Sequence, residues 1–234
     1  MRRQPGRRRD WGRPQGNRRA NWTRDWERGW RRIGGPTYLH RWQRIVRPAI
    51  VSVMSKDIDR IVISRRQIQR RVASLAREIS EAYNGHELVI VPVLTGSFVL
   101  LADLVRELPL KMRVDVLAVS SYPGRSIRSQ GPRIVLPGSL PLAGRRVLIL
   151  DDVLESGRSI GAVQTLLRRR RPASIKTCVL LRKASAKAMG LSADFIGFEI
   201  ADDFVVGYGM DFNHYYRNLP DIVTLKPAIF GRRA

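Results

Sequence analysis

In VLILDDVLESGRSIGAV, residues 147–163, four apolar residues run into Asp151 and Asp152, and a third acid, Glu155, precedes Ser156-Gly157-Arg158-Ser159. A glycine-containing loop that opens a helix can cradle a phosphate. The helix N-terminus offers unpaired N–H groups and a partial positive charge, and Ser156 and Ser159 add hydroxyls. Gly157 lets the backbone approach the ligand closely. Asp151 and Asp152 would sit within a few residues of that phosphate, where like charge gives them no reason to be for phosphate affinity. Their natural partners are the vicinal hydroxyls of a sugar, or a hard divalent cation held partly through water. A phosphate beside paired carboxylates implies a ribose 5-phosphate.

Such groups converge only if regular elements hold them. Ser64 and Gln67 have the spacing of a capping box, and Ile68, Val72, Leu75, Ile79 and Tyr83 recur at helical spacing up to Asn84-Gly85. LVIVPVL (88–94) reads as a buried strand, and SFVLLADLVREL (97–108), after Thr95-Gly96, as a helix. MRVDVLAVSSY (112–122) reads as a further strand, followed by the polar loop PGRSIRSQGPR. RRVLIL, a helix over about 157–170, SIKTCVLL and DFIGFEI continue the alternation. The expected fold is therefore α/β, a mostly parallel sheet flanked by helices. Ligands of such sheets bind beyond the C-terminal strand ends, where both Thr95-Gly96 and the acidic motif fall.

The chain has 234 residues, 44% of them hydrophobic, enough for one sizeable domain. No apolar run approaches the roughly 20 residues of a membrane span, so the expectation is a cytoplasmic protein without membrane contact. Cys178 is the single cysteine and lies in the apolar run TCVLL, which places it in the core; His40, His86 and His214 form no zinc pattern.

The net charge of +23 is unevenly spread, because residues 1–50 carry fifteen arginines and only three acids, Asp10, Asp25 and Glu27. All five tryptophans, Trp11, Trp22, Trp26, Trp30 and Trp42, lie in the same stretch. Residues 1–53 thus form a basic Arg/Trp-rich tail and residues 54–234 the domain. Three readings of the tail stand side by side. It is sequence upstream of a true start at Met54, a disordered segment, or an arm that grips nucleic acid by charge and stacking.

The motif VLILDDVLESGRS resembles the phosphoribosyl-diphosphate (PRPP) binding motif of type I phosphoribosyltransferases. From about Lys56 to Leu225 the chain is most similar to hypoxanthine-guanine phosphoribosyltransferases. VLTGSFVLLADLVREL resembles their pyrophosphate loop and following helix, AVSSY the start of their mobile lid, and DFIGFEIADDFVVGYGMDFNHYYRNLP (194–220) their C-terminal purine segment. The resemblance implies a small hood built from the C-terminal segment over the parallel sheet. It also implies roles by position. Asp151 and Asp152 contact the ribose hydroxyls and the metal shell, Glu155 works at purine N7, and Ser156, Gly157, Arg158 and Ser159 hold the 5-phosphate. Thr95, Gly96 and Arg217 meet pyrophosphate. Lys183 recognises the exocyclic 6-oxygen, Phe204 stacks on the base and Val205 offers its backbone to the base edge. Asp211 helps hold Mg2+, and Ser121 and Tyr122 belong to the lid. The partners implied are PRPP, 6-oxopurine bases and further copies of the chain, as a homodimer or homotetramer.

Physical reasons stand beside these roles. Glycosyl transfer needs a good leaving group, which magnesium and arginine supply by neutralising pyrophosphate charge, and a dry site. A lysine has no acceptor, so it discriminates against a 6-amino base.

Two positions depart from the family pattern. Glu155 stands where the family usually has aspartate, and its extra methylene moves the carboxylate by about 1.5 Å, a displacement that can cost about 10²-fold in rate. Thr95 stands where a lysine usually precedes the glycine, which removes a direct charge from the pyrophosphate loop. The implied activity is salvage, with hypoxanthine or guanine plus PRPP giving IMP or GMP plus pyrophosphate. The basic excess and the two departures leave a rival reading, a nucleotide-sensing, RNA-binding regulator on the same fold.

Overall fold

The structure, a computed structural model, describes residues 55–120, 133–136 and 138–230. The tail, Met54, Ser121 and Tyr122 lie outside the described residues.

The chain enters through β1 (Ile58–Ile63) and then forms the helix α1 (Arg65–Tyr83). Ser64 is its N-cap with both halves of the capping box made, and Asn84 closes it in the left-handed conformation at φ 44°. Side-chain and backbone signals therefore agree at both ends. The stripe Ile68, Val72, Leu75, Ala76, Ile79 and Tyr83 is buried.

The main sheet has the order β5-β4-β2-β6-β7-β8, with β3 also beside β2. Its strands are β2 (Leu88–Leu94), β3 (Met112–Val114), β4 (Leu117–Ser120), β5 (Arg133–Leu136), β6 (Arg146–Leu154), β7 (Ser174–Lys183) and β8 (Phe195–Ile200). All neighbours pair parallel except β4 with β5. Alternation along the strands divides the core between two faces. Leu88, Ile90, Leu148 and Leu150 join α1 and α2 (Phe98–Glu107) on one side. Val89, Val91, Val93, Val147 and Ile149 meet Val163 and Leu167 of α3 (Arg158–Arg168) on the other. Cys178 is in the first cluster, and burial pushes its thiol up to about 12, so it is core and not nucleophile.

The expected single strand over 112–122 is divided at Asp115-Val116. β3 and β4 keep one register against β2, Leu88 opposite Met112 and Val93 opposite Leu117, so the break is local. Pro92 lies between those pairs and brings no N–H to the ladder. Asp115 turns its buried carboxylate to the backbone N–H groups of Ser139 (2.8 Å) and Leu140 (3.2 Å), with Arg170 at 3.6 Å.

A second sheet, β1-β10-β9, is antiparallel, with β9 (Val205–Val206) and β10 (Ile222–Leu225). The hood is thus not purely C-terminal, since β1 is its edge. Two short helical segments, α4 (Ala184–Ala188) and α5 (Pro227–Phe230), complete the described elements. Among the described residues no helix is long and apolar enough to cross a membrane.

Leu75 is fully buried in the larger core cluster. Leu75→Ala is expected to lower unfolding free energy by about 2–5 kcal/mol, and Ser64→Ala by about 1 kcal/mol, both read from urea denaturation.

Candidate active site

Three parallel strands end at one edge and deliver the polar groups there. β2 ends at Leu94, whose peptide bond to Thr95 is cis, and Gly96 follows. β6 runs through Asp151 and Asp152 to Leu154 before the Glu155–Gly157 loop, and β7 ends on Lys183. The hood segment 204–217 lies across from them. Together they enclose a cavity of about 1070 Å³, lined among others by Thr95, Gly96, Asp151, Asp152, Glu155, the Ser156–Ser159 loop, Phe204, Asp211 and Arg217.

Backbone contacts fix this arrangement. A Cβ on Gly96 would lie 1.7 Å from Asp152 Oδ2, so the loop after β2 sits directly against the second carboxylate. A Cβ on Gly209, at φ +101°, would lie 2.3 Å from the Gly96 carbonyl oxygen. Gly209 in turn exchanges bonds with Arg217, its carbonyl accepting from Nη1 (2.6 Å) and its N–H donating to the Arg217 carbonyl (3.0 Å). Asp152, Gly96, Gly209 and Arg217 therefore form one contiguous contact line from the sheet to the hood.

Asp151 is buried, and its Oδ1 accepts from the Asp152 N–H at 3.0 Å; Asp152 Oδ1 accepts from the Val153 N–H at 2.9 Å. Burial raises both carboxyls. Asp151 is held well above the ordinary carboxylate range, with the charge of Asp152 adding to the burial effect. An ionised pair here asks for a cation or for hydroxyl donors.

Gly157, left-handed at φ 68°, is the N-cap of α3 and no side chain caps that helix. Its first N–H groups thus face the loop without a side-chain acceptor, the arrangement that suits an anion. Two cations of the site are already matched by acids. Arg217 Nη2 lies 2.6 Å from Asp211 Oδ1, while Asp211 Oδ2 accepts from the His214 N–H at 2.8 Å. Lys183 Nζ donates to Glu155 Oε1 at 2.8 Å, with the lysine side chain 9% exposed and the glutamate 62%. Arg158 lines the cavity with no acidic partner among the described residues.

Phe204 is 46% exposed and lines the cavity. Lys183 and Val205 do not line it directly. Lys183 reaches it through Glu155, and Val205 is buried in β9 next to Phe204. Sequence reasoning did not single out Phe212, Asn213 and His214, which also line the cavity. Asn213 and His214 have positive φ, 50° and 67°, and the Asn in a polar stretch is the one signal of such a turn.

Comparison with known proteins agrees with this geometry. A family model described as a phosphoribosyl transferase domain matches residues 63–213. The hypoxanthine-guanine phosphoribosyltransferase of Bacillus subtilis is 36% identical over 178 residues, covering 76% of this chain and 99% of that protein. The one from Mycobacterium avium is 39% identical over 181 residues, covering 74% and 89%. The crystal structure of a hypoxanthine phosphoribosyltransferase from Staphylococcus aureus superposes with a TM-score of 0.71 at 33% identity, covering 77% of this chain and 98% of that one. A parallel sheet with a glycine loop opening a helix, paired acids and a hood at its C-terminal edge fits the phosphoribosyltransferase class. The chain belongs to the hypoxanthine-guanine phosphoribosyltransferase family.

The close approach at Gly209 has a measurable cost if disturbed. Gly209→Ala, which meets both the positive φ and the Gly96 carbonyl, should lower stability by about 2 kcal/mol or more. Gly85→Ala, at φ +73° with nothing within 4 Å, should cost only about 1 kcal/mol. Equal losses in urea denaturation would mean that the contact with Gly96 is loose.

Proposed function

We propose that this chain catalyses purine salvage, moving the 5-phosphoribosyl group of PRPP to N9 of hypoxanthine or guanine, with Mg2+, to give IMP or GMP and pyrophosphate. The observation that carries the reading is the placement of Asp151 and Asp152 between the uncapped start of α3 and the Thr95-Gly96 loop, inside one cavity that Phe204 also lines. These groups suit a 5-phosphate, a ribose, a 1-pyrophosphate and a base.

In this reading Ser156, Gly157, Arg158 and Ser159 hold the 5-phosphate, and Asp151 and Asp152 receive the ribose hydroxyls. Thr95, Gly96 and Arg217 face pyrophosphate. Phe204 gives the base its π-face, Lys183 donates to the 6-oxygen, and Val205 contributes backbone at the base edge. The bond from C1 of the ribose to the pyrophosphate oxygen breaks as the bond to N9 forms. Glu155 keeps a carboxylate oxygen near the base for a proton at N7. Ser121 and Tyr122 are assigned to the lid that keeps water from the reacting carbon.

The acids fit magnesium in one particular way. Among the described residues no three potential ligands cluster tightly enough to form a protein cage. Mg2+ usually takes one or two carboxylates and completes its octahedron with substrate phosphate oxygens and waters. The raised Asp151–Asp152 pair supplies hard oxygens that a cation would return to the ionised form, and Asp211, engaged with Arg217, lies on the pyrophosphate side. When bound, the ion would neutralise charge on the leaving pyrophosphate. A cytoplasmic homodimer or homotetramer belongs to the same proposal. No observation among the described residues favours the RNA-binding regulator.

The deciding assay measures nucleotide formation from hypoxanthine, guanine, xanthine and adenine with PRPP, with and without magnesium. Magnesium-dependent IMP or GMP with adenine inert is expected; no product from hypoxanthine or guanine would defeat the proposal. Thr95→Lys should lower the KM for PRPP several-fold, roughly 5- to 10-fold, because a charged donor to phosphate contributes about 1.5–3 kcal/mol less its desolvation. An unchanged PRPP KM would show that Thr95 costs the site nothing.

A further inference from the structure

Phe204 can orient a base only if its own ring is held. It has no hydrogen-bonding group, it is 46% exposed, and it precedes a two-residue strand, so its backbone alone leaves the side-chain torsions to be settled by neighbours. Two rings do this. Phe212 approaches Phe204 edge to face, with centroids 5.7 Å apart and planes at 82°. Phe230 approaches it from the C-terminal segment at 5.6 Å and 90°. Phe212 and Phe230 also meet each other, at 5.2 Å and 70°. Each ring thus touches both others in the edge-on geometry that the aromatic quadrupole favours.

Phe212 lines the cavity together with Phe204, but Phe230 does not. Phe230 is the last described residue of α5, and its position is set by contacts outside the cavity. The Lys226 N–H donates to the Asp57 carbonyl at 2.9 Å, and the Ile229 N–H donates to the Lys226 carbonyl at 2.9 Å. Ile229 packs on the hood cluster of Val206, Leu219, Val223 and Leu225. The C-terminal turn is therefore tied to the start of β1 and to the hood, and it presents a ring that is itself 44% exposed to the back of the stacking residue.

We infer that Phe230 is a positioning residue for the purine base: it locks the tilt of Phe204 and so sets where the base places its reacting nitrogen. The inference rests on the purine reading of the site and deepens it. The base-stacking unit is the three-ring cluster, and the C-terminal turn is part of the base site without touching the base. Phe230 meets Phe204 directly and reaches the pyrophosphate side only through Phe212, the chain neighbour of Asp211, so its larger influence falls on the base.

The test compares Phe230→Ala, Phe230→Leu and Phe230→Tyr in the full chain, with KM for hypoxanthine and guanine, KM for PRPP, kcat and Tm measured for each. Removing the ring should raise the KM for the base about 5- to 10-fold, as expected for losing two edge-to-face contacts, and leave the KM for PRPP within about twofold. Phe230→Tyr, which keeps the ring, should remain close to the wild type, and Phe230→Leu should behave like Phe230→Ala. An unchanged base KM in Phe230→Ala, equal rises for base and PRPP, or restoration by leucine would each overturn the inference, the last two by reducing Phe230 to a packing residue. A wild-type chain inert with both 6-oxopurines would instead remove the purine reading on which the inference stands.

Discussion

The site depends on one steric constraint, the absence of side chains where Gly96 and Gly209 meet. A parallel sheet brings its strand ends to one edge, but it does not by itself bring a loop from β2 within van der Waals contact of a carboxylate on β6. Gly96 allows that contact with Asp152, and Gly209 lets the hood close onto the Gly96 carbonyl. Arg217 holds Gly209 by two backbone-directed bonds and Asp211 by its other guanidinium nitrogen, so the hood reaches the sheet through a rigid connection. Interiors packed at crystal-like density transmit such displacements, and a shift at 209 is felt at Asp152.

Charge is distributed along that frame in a consistent manner. Lys183 and Arg217 each face an acid, Glu155 and Asp211. Asp151 and Asp152 are the opposite case, two acids taken out of water beside each other, with burial the main reason their ionised forms are disfavoured. A folded site that holds two adjacent carboxylates largely out of water spends stability on ligand binding. The uncapped start of α3 and Arg158, which has no acidic partner among the described residues, are the complementary positive end.

What could be read in advance follows from whether the signal is local. α1 was legible because its cap, its apolar spacing and its terminating Asn-Gly all lie within the helix and its ends. The acidic motif was legible because strand, loop and helix start are consecutive. The division of β3 from β4 was not, since it depends on Pro92 in a neighbouring strand and on Asp115 capturing backbone at Ser139 and Leu140. The β1-β10-β9 sheet was missed for a similar reason. β1 pairs with β10 across more than 150 residues, is largely exposed along its middle, and β9 has only two residues, too few to show a period. Resemblance placed Gly96 at pyrophosphate, but its contact with Asp152, and that of Gly209 with Gly96, emerge only from neighbours across the fold. Resemblance named the aromatic Phe204, while its two ring partners emerge only from the spatial arrangement.

The ion pair between Glu155 and Lys183 bears on why a glutamate is workable where the family usually has an aspartate. The lysine is nearly buried and the glutamate largely exposed, so the two partners do not depend on the pair equally. Losing Glu155 would leave an ammonium with little water around it, which is the costly outcome, whereas the glutamate could be solvated again. An ammonium has three donors, and one is directed at Glu155 Oε1. In the proposed purine reading a 6-oxo group would accept a second without displacing the carboxylate, so base recognition would add a bond to the pair instead of exchanging one. Glu155 thus lines the cavity while its Oε1 holds the Lys183 ammonium. A 6-amino group brings donors to a site whose lysine can only donate, and its N–H would compete with Lys183 for the same carboxylate. In the proposed purine reading, selection for the 6-oxygen would therefore reside in the pair as a unit, with Lys183 supplying the donor and Glu155 holding it in place.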